Sequence, residues 1–213
     1  MKKYLSVSNV SVLGVCETKV MDAIQGKRPP TKAMKEGTIA HEKLAEKLPQ
    51  MSKEQVIEGI KSGNKLNVRE LSVFDSKLHI VGRIDHLFMT GIMEDGKNTG
   101  IIIDDKFLKE TSKIFGITLY YKLQLSSYAA ALADSYEYGN ICSVVGASLI
   151  YRDKESNDIL RQFDMNRNRL NACTSNIRMA VDDVWKLYRQ EKEPEHRRFD
   201  VEKGEWTGCY LGS

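Results

Sequence analysis

Four short stretches of the chain carry residue types that together suit one kind of chemistry. Gly37-Thr38-Ile39-Ala40-His41-Glu42 supplies an imidazole, Gly82-Arg83-Ile84-Asp85 a carboxylate, and Ile102-Ile103-Asp104-Asp105-Lys106 a second carboxylate and an ammonium. Gln124-Leu125-Ser126-Ser127-Tyr128 adds a polar pair four residues apart. Hard oxygen donors such as Asp85 and Asp104 suit Mg²⁺ or Mn²⁺, and an imidazole beside them tilts the preference toward Mn²⁺. An ammonium two residues from one acid can stabilise a hydroxide nucleophile or the charge that builds on a phosphate. These are the parts of a metal-assisted phosphodiester hydrolysis.

The elements that must position them follow from periodicity. The run Ile101-Ile102-Ile103-Asp104-Asp105-Lys106-Phe107 is β-branched and follows a turn-like Glu94-Asp95-Gly96-Lys97-Asn98, which predicts a strand entered from a hairpin. Side chains alternate along a strand, so Ile102, Asp104 and Lys106 share one face and Ile103, Asp105 and Phe107 the other. Asp85 falls on a further strand, with Gly82 beside it permitting close approach of a backbone or substrate. His41, Leu44, Ala45 and Leu48 recur at helical spacing, which turns the imidazole toward the core. Gln124 and Tyr128 are neighbours on a helix over about 118–135, whose core stripe of Leu125, Tyr128, Ala129 and Leu132 is flanked by Gln124 and Tyr121. Read singly, each has a plainer alternative: an edge-strand carboxylate, a surface ion pair, a core histidine, a polar helix rim.

Taken in order, G-x-x-x-H, G-x-x-D, D-x-K and Q-x-x-x-Y resemble the RecB-type branch of the PD-(D/E)XK nucleases, and within it the Cas4-like exonucleases. The resemblance covers roughly residues 6–128. It implies that His41, Asp85 and Asp104 bind a divalent metal, with the Asp105 backbone carbonyl completing the site, and that Lys106 is catalytic. Gln124 and Tyr128 would orient the lysine or contact the nucleic-acid backbone. The activity it implies is a DNA exonuclease acting on single-stranded ends, in recombination, repair, phage-type end processing or CRISPR adaptation, with a recombination or adaptation protein as a possible partner.

The chain departs from that family at its cysteines. Cas4-like proteins commonly hold a [4Fe–4S] cluster on one N-terminal and three C-terminal cysteines. Here Cys16 and Cys209 stand in suitable regions, but Trp206 occupies the position three before Cys209 and no C-x-x-C occurs. Cys142 opens an apolar strand and Cys173 shares helical spacing with Leu170, Ile177, Val181 and Val184, so both read as core residues. A cluster needs four thiolates at one place. None is expected, with packing near Cys16 and Cys209 in its stead.

With 213 residues, 41% hydrophobic and 29% charged, the chain is expected to form one soluble domain over 1–213, with a helical N-terminal segment (about 1–65) and a C-terminal helix (about 167–192). No apolar run approaches membrane-spanning length, no secretory signal is evident, and unpatterned cysteines point to a reducing cytosol. The net charge is only +3. Lys32 and Lys35 precede the His41 helix, and Lys109 and Lys113 follow the catalytic strand. Both groups suit phosphate binding, or a solvated basic surface. The C-terminal basic group around Arg197 and Arg198 reads as a solvated tail. The fold class expected is α/β: a PD-(D/E)XK core with a mixed sheet flanked by helices. Two other functions stay open: a non-catalytic DNA-binding or scaffold subunit, and an RNA nuclease on the same fold.

Overall fold

The computed structural model describes residues 4–27, 51–108 and 116–209. His41 and its helix, with Lys32, Lys35, Lys109 and Lys113, lie outside the described residues.

The centre is a mixed sheet built around an antiparallel meander. Strands β2 (Lys65–Asp75), β3 (Ile80–Glu94) and β4 (Lys97–Leu108) follow one another antiparallel. The β3–β4 turn is tight: Glu94 pairs with Lys97, and Asp95 and Gly96 both have positive φ, at 48° and 75°. That is the two-residue connection whose twist matches a hairpin. Helix α4 (Leu119–Ala133) then carries the chain across to β5 (Cys142–Asp153), which pairs parallel to β4. β6 (Ile159–Asn166) returns antiparallel to β5 and leads into α5 (Arg167–Arg189). The α5 stripe of Leu170, Cys173, Ile177, Val181 and Val184 is buried as its spacing predicts. A capping box at Ser52 and Gln55 opens α3 (Lys53–Lys61). The fold is thus α/β, with a mixed central sheet flanked by helices.

Three expectations change. The N-terminal segment expected to be helical opens instead as a short strand β1 (Leu5–Ser6), a five-residue helix α1 (Val7–Ser11), a 3₁₀ turn (Val12–Gly14) and helix α2 (Glu17–Ile24). Cys16 is extended (φ −166°) and breaks it. The Gln124 helix is not half-exposed: residues 123–132 are buried all round, because α4 packs against α1 and α5 as well as strands β2, β3 and β5. Its Ala and Ser positions let these neighbours approach on every side.

The C-terminal basic group is no solvated tail. Residues 197–208 form a hairpin of β7 (Arg197–Asp200) and β8 (Glu205–Gly208) that docks on the start of α2. The fully buried Glu17 accepts hydrogen bonds from the Glu195 amide (3.0 Å) and from Arg197 Nε and Nη2 (both 3.1 Å). The Arg197 guanidinium stacks 4.2 Å from the Trp206 ring. Breaking a buried pair from one side strands the other charge. Glu17→Ala is therefore expected to lower unfolding free energy by about 2–4 kcal/mol in urea titrations. A loss below about 0.5 kcal/mol, the size of an ordinary surface change, would mean the hairpin is merely apposed.

Candidate active site

The site lies where two strands part. β3 and β4 pair as far as His86↔Ile103, but β4 then stays with β5 out to Leu108↔Asp153 while β3 turns to β1, at Leu5↔Ile80 and Ser6↔Val81. Residues 82–85 of β3 stand in the fork between these partners. Leu87 pairs with Ile102. Two residues further along each strand, the period of two sets Asp85 beside Asp104, on the same face of the sheet.

The parting also frees backbone groups of β4 from the β3 ladder. The amide of Asp105 turns to Asp85 and donates to its Oδ2 at 3.0 Å. Asp104, 1% exposed, sits on a strand covered on both faces, so its charge needs a partner within the protein. Lys106 provides it, with Nζ 2.5 Å from Asp104 Oδ2. The contact is one of charge: neither oxygen of Asp104 has a partner at hydrogen-bonding angles among the described residues.

One ammonium faces two acids. Burial first, and then the Asp104 charge, push the Asp85 carboxyl well above the usual carboxylate range. Burial opposes the charge on Lys106, but the Asp104 and Asp85 carboxylates override it and raise its pKa, so the ammonium stays protonated. Lys106 also lies 5.4 Å over the Tyr121 ring. Tyr121 flanks the polar pair in the sequence and showed no decisive signal there; the structure puts it against the lysine.

Tyr128 reaches the same centre. Burial, followed by the Asp104 and Asp85 charges, raises its phenol pKa, and the Gln124 side chain hydrogen-bonds to it. Gln124 Oε1 is buried with no partner among the described residues. Gly82 makes this possible: a Cβ there would stand 2.8 Å from Tyr128 Cε1 and 2.7 Å from Val7 Cγ2. The approach that Gly82 permits is thus from these two side chains, not from a backbone or substrate. Asp85, Asp104, Lys106, Gln124 and Tyr128 converge. Asp105 points away, as alternation predicts, and its carboxylate meets His86 and Arg152 on the far side of the strand.

Among the described residues no group of three or more His, Cys, Asp or Glu is arranged to hold a metal. The donor set nevertheless fits a divalent cation. Two carboxylates stand side by side at one point, and Asp104 Oδ1 is buried without a hydrogen-bond partner among the described residues.

The cysteines divide. Cys142 lies against Met89, its Sγ 3.9 Å from Sδ, and Cys173 beside Ser126. Cys16 hydrogen-bonds Cys209 and His196; burial opposes its thiolate, but these contacts and Thr18 outweigh it and lower its pKa. Burial and the Cys16 contact push Cys209 up to about 11. Two cysteines meet, not four.

No family model and no curated protein matches the chain. Solved structures do. A protein of Eubacterium rectale provisionally named an exonuclease aligns with a TM-score of 0.52 at 15% identity, covering 91% of this chain and 84% of that one. An alkaline exonuclease of Laribacter hongkongensis aligns at 0.46 and 12% identity, covering 88% and 93%. The chain thus shares the overall fold of the E. rectale protein.

The raised Asp85 pKa has a consequence for stability. Between the ordinary carboxylate pKa, about 4, and the raised one, the folded state keeps a proton that the unfolded chain has released. Stability of the metal-free protein therefore falls as pH rises through that window. Asp85→Asn, which can still accept from the Asp105 amide, is expected to remove this fall and to melt higher than wild type at pH 7 in EDTA. A lower melting temperature across the whole pH range would contradict the electrostatic reading of the site.

Proposed function

We propose that the chain is a divalent-metal-dependent nuclease that hydrolyses phosphodiester bonds of DNA, working as an exonuclease on single-stranded ends. The observation that carries this reading is the fork between β3 and β4, which brings Asp85, Asp104 and Lys106 to one point, with Asp104 Oδ1 buried and without a hydrogen-bond partner among the described residues. The fold it shares with the E. rectale protein named as an exonuclease supports it.

Asp85 and Asp104 would hold the ion, Mg²⁺ or Mn²⁺, with His41 and the Asp105 carbonyl as the remaining protein ligands that the motif resemblance implies. When bound, the ion supplies charge for the scissile phosphate and acidifies a water. In the reaction water adds to phosphorus and the P–O ester bond breaks, which leaves one phosphate and one hydroxyl end. Lys106 acts as a cation, not as a base. The carboxylates beside it keep it protonated, so it binds a phosphate oxygen as charge accumulates there. Tyr128, kept neutral by its raised pKa, retains its O–H as a donor and with Gln124 orients groups at the rim of the site.

The test is degradation of end-labelled single-stranded and duplex DNA with Mn²⁺, Mg²⁺ or EDTA. Wild type is expected to release label only with metal, and faster from single strands. Lys106→Ala is expected to lower kcat by roughly 10²–10³-fold, the scale for removal of one preorganised charge-stabilising group. Asp104→Ala is expected to abolish cleavage. A wild type that retains DNA with or without metal, and cuts neither form, would overturn the catalytic reading in favour of a DNA-binding role.

A further inference from the structure

Asp105 makes two sets of contacts: its amide meets Asp85 in the fork, and its carboxylate meets His86 and Arg152 on the other face of the sheet. Its side chain is fully buried. His86 Nε2 lies 2.9 Å from Oδ2, and Arg152 Nε donates to Oδ1 at 2.7 Å. Arg69, paired in register with His86, brings a second guanidinium to the same cluster; burial lowers its pKa, and the Asp105 charge opposes that. Burial works against the Asp105 charge, but the His86 and Arg152 contacts outweigh it and hold the carboxyl at about 2. Asp105 is therefore a fixed anion within a cage of three basic side chains.

The cage is itself braced. Arg152 sits where the β5–β6 register slips between Tyr151 and Arg152, which re-aims the side chain. Its Nη1 donates to the Asn157 carbonyl at 3.2 Å, in the β5–β6 turn. That turn is closed by its own bonds: Asp153 Oδ1 accepts from the amides of Glu155 and Ser156 at 2.8 and 2.9 Å. The amide of Lys154 reaches the Leu108 carbonyl at the end of β4 (3.0 Å). The turn, Arg152 and the end of β4 are thus tied together by hydrogen bonds.

The near end of Asp105 is its amide, which holds Asp85 Oδ2 in the fork. There β3 and β4 are no longer paired, so no ladder hydrogen bond sets the spacing between Asp85 and Asp104. The backbone orientation at Asp105 sets it instead, and its side chain fixes that orientation from behind. We infer that Asp105, with His86 and Arg152, is a positioning device: a bracket on the back of the sheet that sets the geometry of the Asp85–Asp104 pair and hence the affinity of the site for its ion. This inference rests on the metal-site reading above. None of the three side chains touches the substrate in it.

The experiment measures Mn²⁺ binding directly, by titration calorimetry on full-length protein without DNA, for wild type, Asp105→Asn and Arg152→Gln. Second-sphere partners typically contribute 10–100-fold to metal affinity, and losses of roughly that size are expected for both variants. Cleavage assays add a second reading: the Mn²⁺ concentration for half-maximal rate should rise, excess Mn²⁺ should restore kcat, and KM for DNA should not change. Asp105→Asn also leaves Arg69 and Arg152 facing each other without an anion, so its melting temperature should fall. Arg152→Gln, nearer the surface, covers the case in which that variant does not fold. Variants that are folded, melt lower and bind Mn²⁺ as wild type does would overturn the bracket and leave a purely structural ion pair. Wild type that binds no Mn²⁺ would overturn the metal site itself, and the bracket with it.

Discussion

The divergence of β3 from β4 after His86↔Ile103 is the constraint on which the site depends. In a continuous ladder the amides and carbonyls of both strands would be spent on each other, and two neighbouring aspartates would face one another with nothing between them. Here β4 keeps β5 along its other edge while β3 passes to β1, which opens a gap between β3 and β4. The Asp105 amide becomes available to Asp85, and Tyr128 enters over Gly82. The contacts of the candidate site thus follow from one topological event.

Electrostatics then divide the labour of β4. Its sequence puts three charged residues in a row on a strand buried on both faces, an arrangement that is unfavourable unless each charge has its own partner. Alternation sends Asp104 and Lys106 forward and Asp105 back. The back charge stands among cations and is held at about pKa 2, whereas on the front burial and the adjacent Asp104 charge drive Asp85 upward. One strand thus carries a charge held fixed on one face and an acid of the candidate site on the other, and the second is where a divalent ion fits.

Much of this was legible from local pattern. The period of two separated Asp104 and Lys106 from Asp105, and helical spacing joined Gln124 to Tyr128. What was not legible depends on contacts distant in the chain. Glu17 and Arg197 are 180 residues apart, and nothing around either announces that the C-terminal basic run folds back as a hairpin; the nearest signal is the aromatic pair Phe199 and Trp206 on either side of a turn containing Gly204. The break before Cys16 falls at the 3₁₀ turn ending in Gly14, where a Cβ would stand 2.8 Å from Leu123 of α4, a close approach that local pattern does not announce. Burial of α4 on every side erases the amphipathic reading, since α1 and α5 cover faces that a two-layer packing would expose. Gly82 looked like an opening for substrate, because its close neighbours Val7 and Tyr128 come from two elements far away in sequence.

A divalent ion held between Asp85 and Asp104 is the claim that most of the account rests on. Diffraction from crystals grown with Mn²⁺, recorded with anomalous signal, addresses it most directly. The account predicts an anomalous peak within coordinating distance of both carboxylates, with the Lys106 ammonium withdrawn from Asp104 toward the phosphate position. A site without a peak at saturating Mn²⁺, and Lys106 still paired to Asp104, would contradict it.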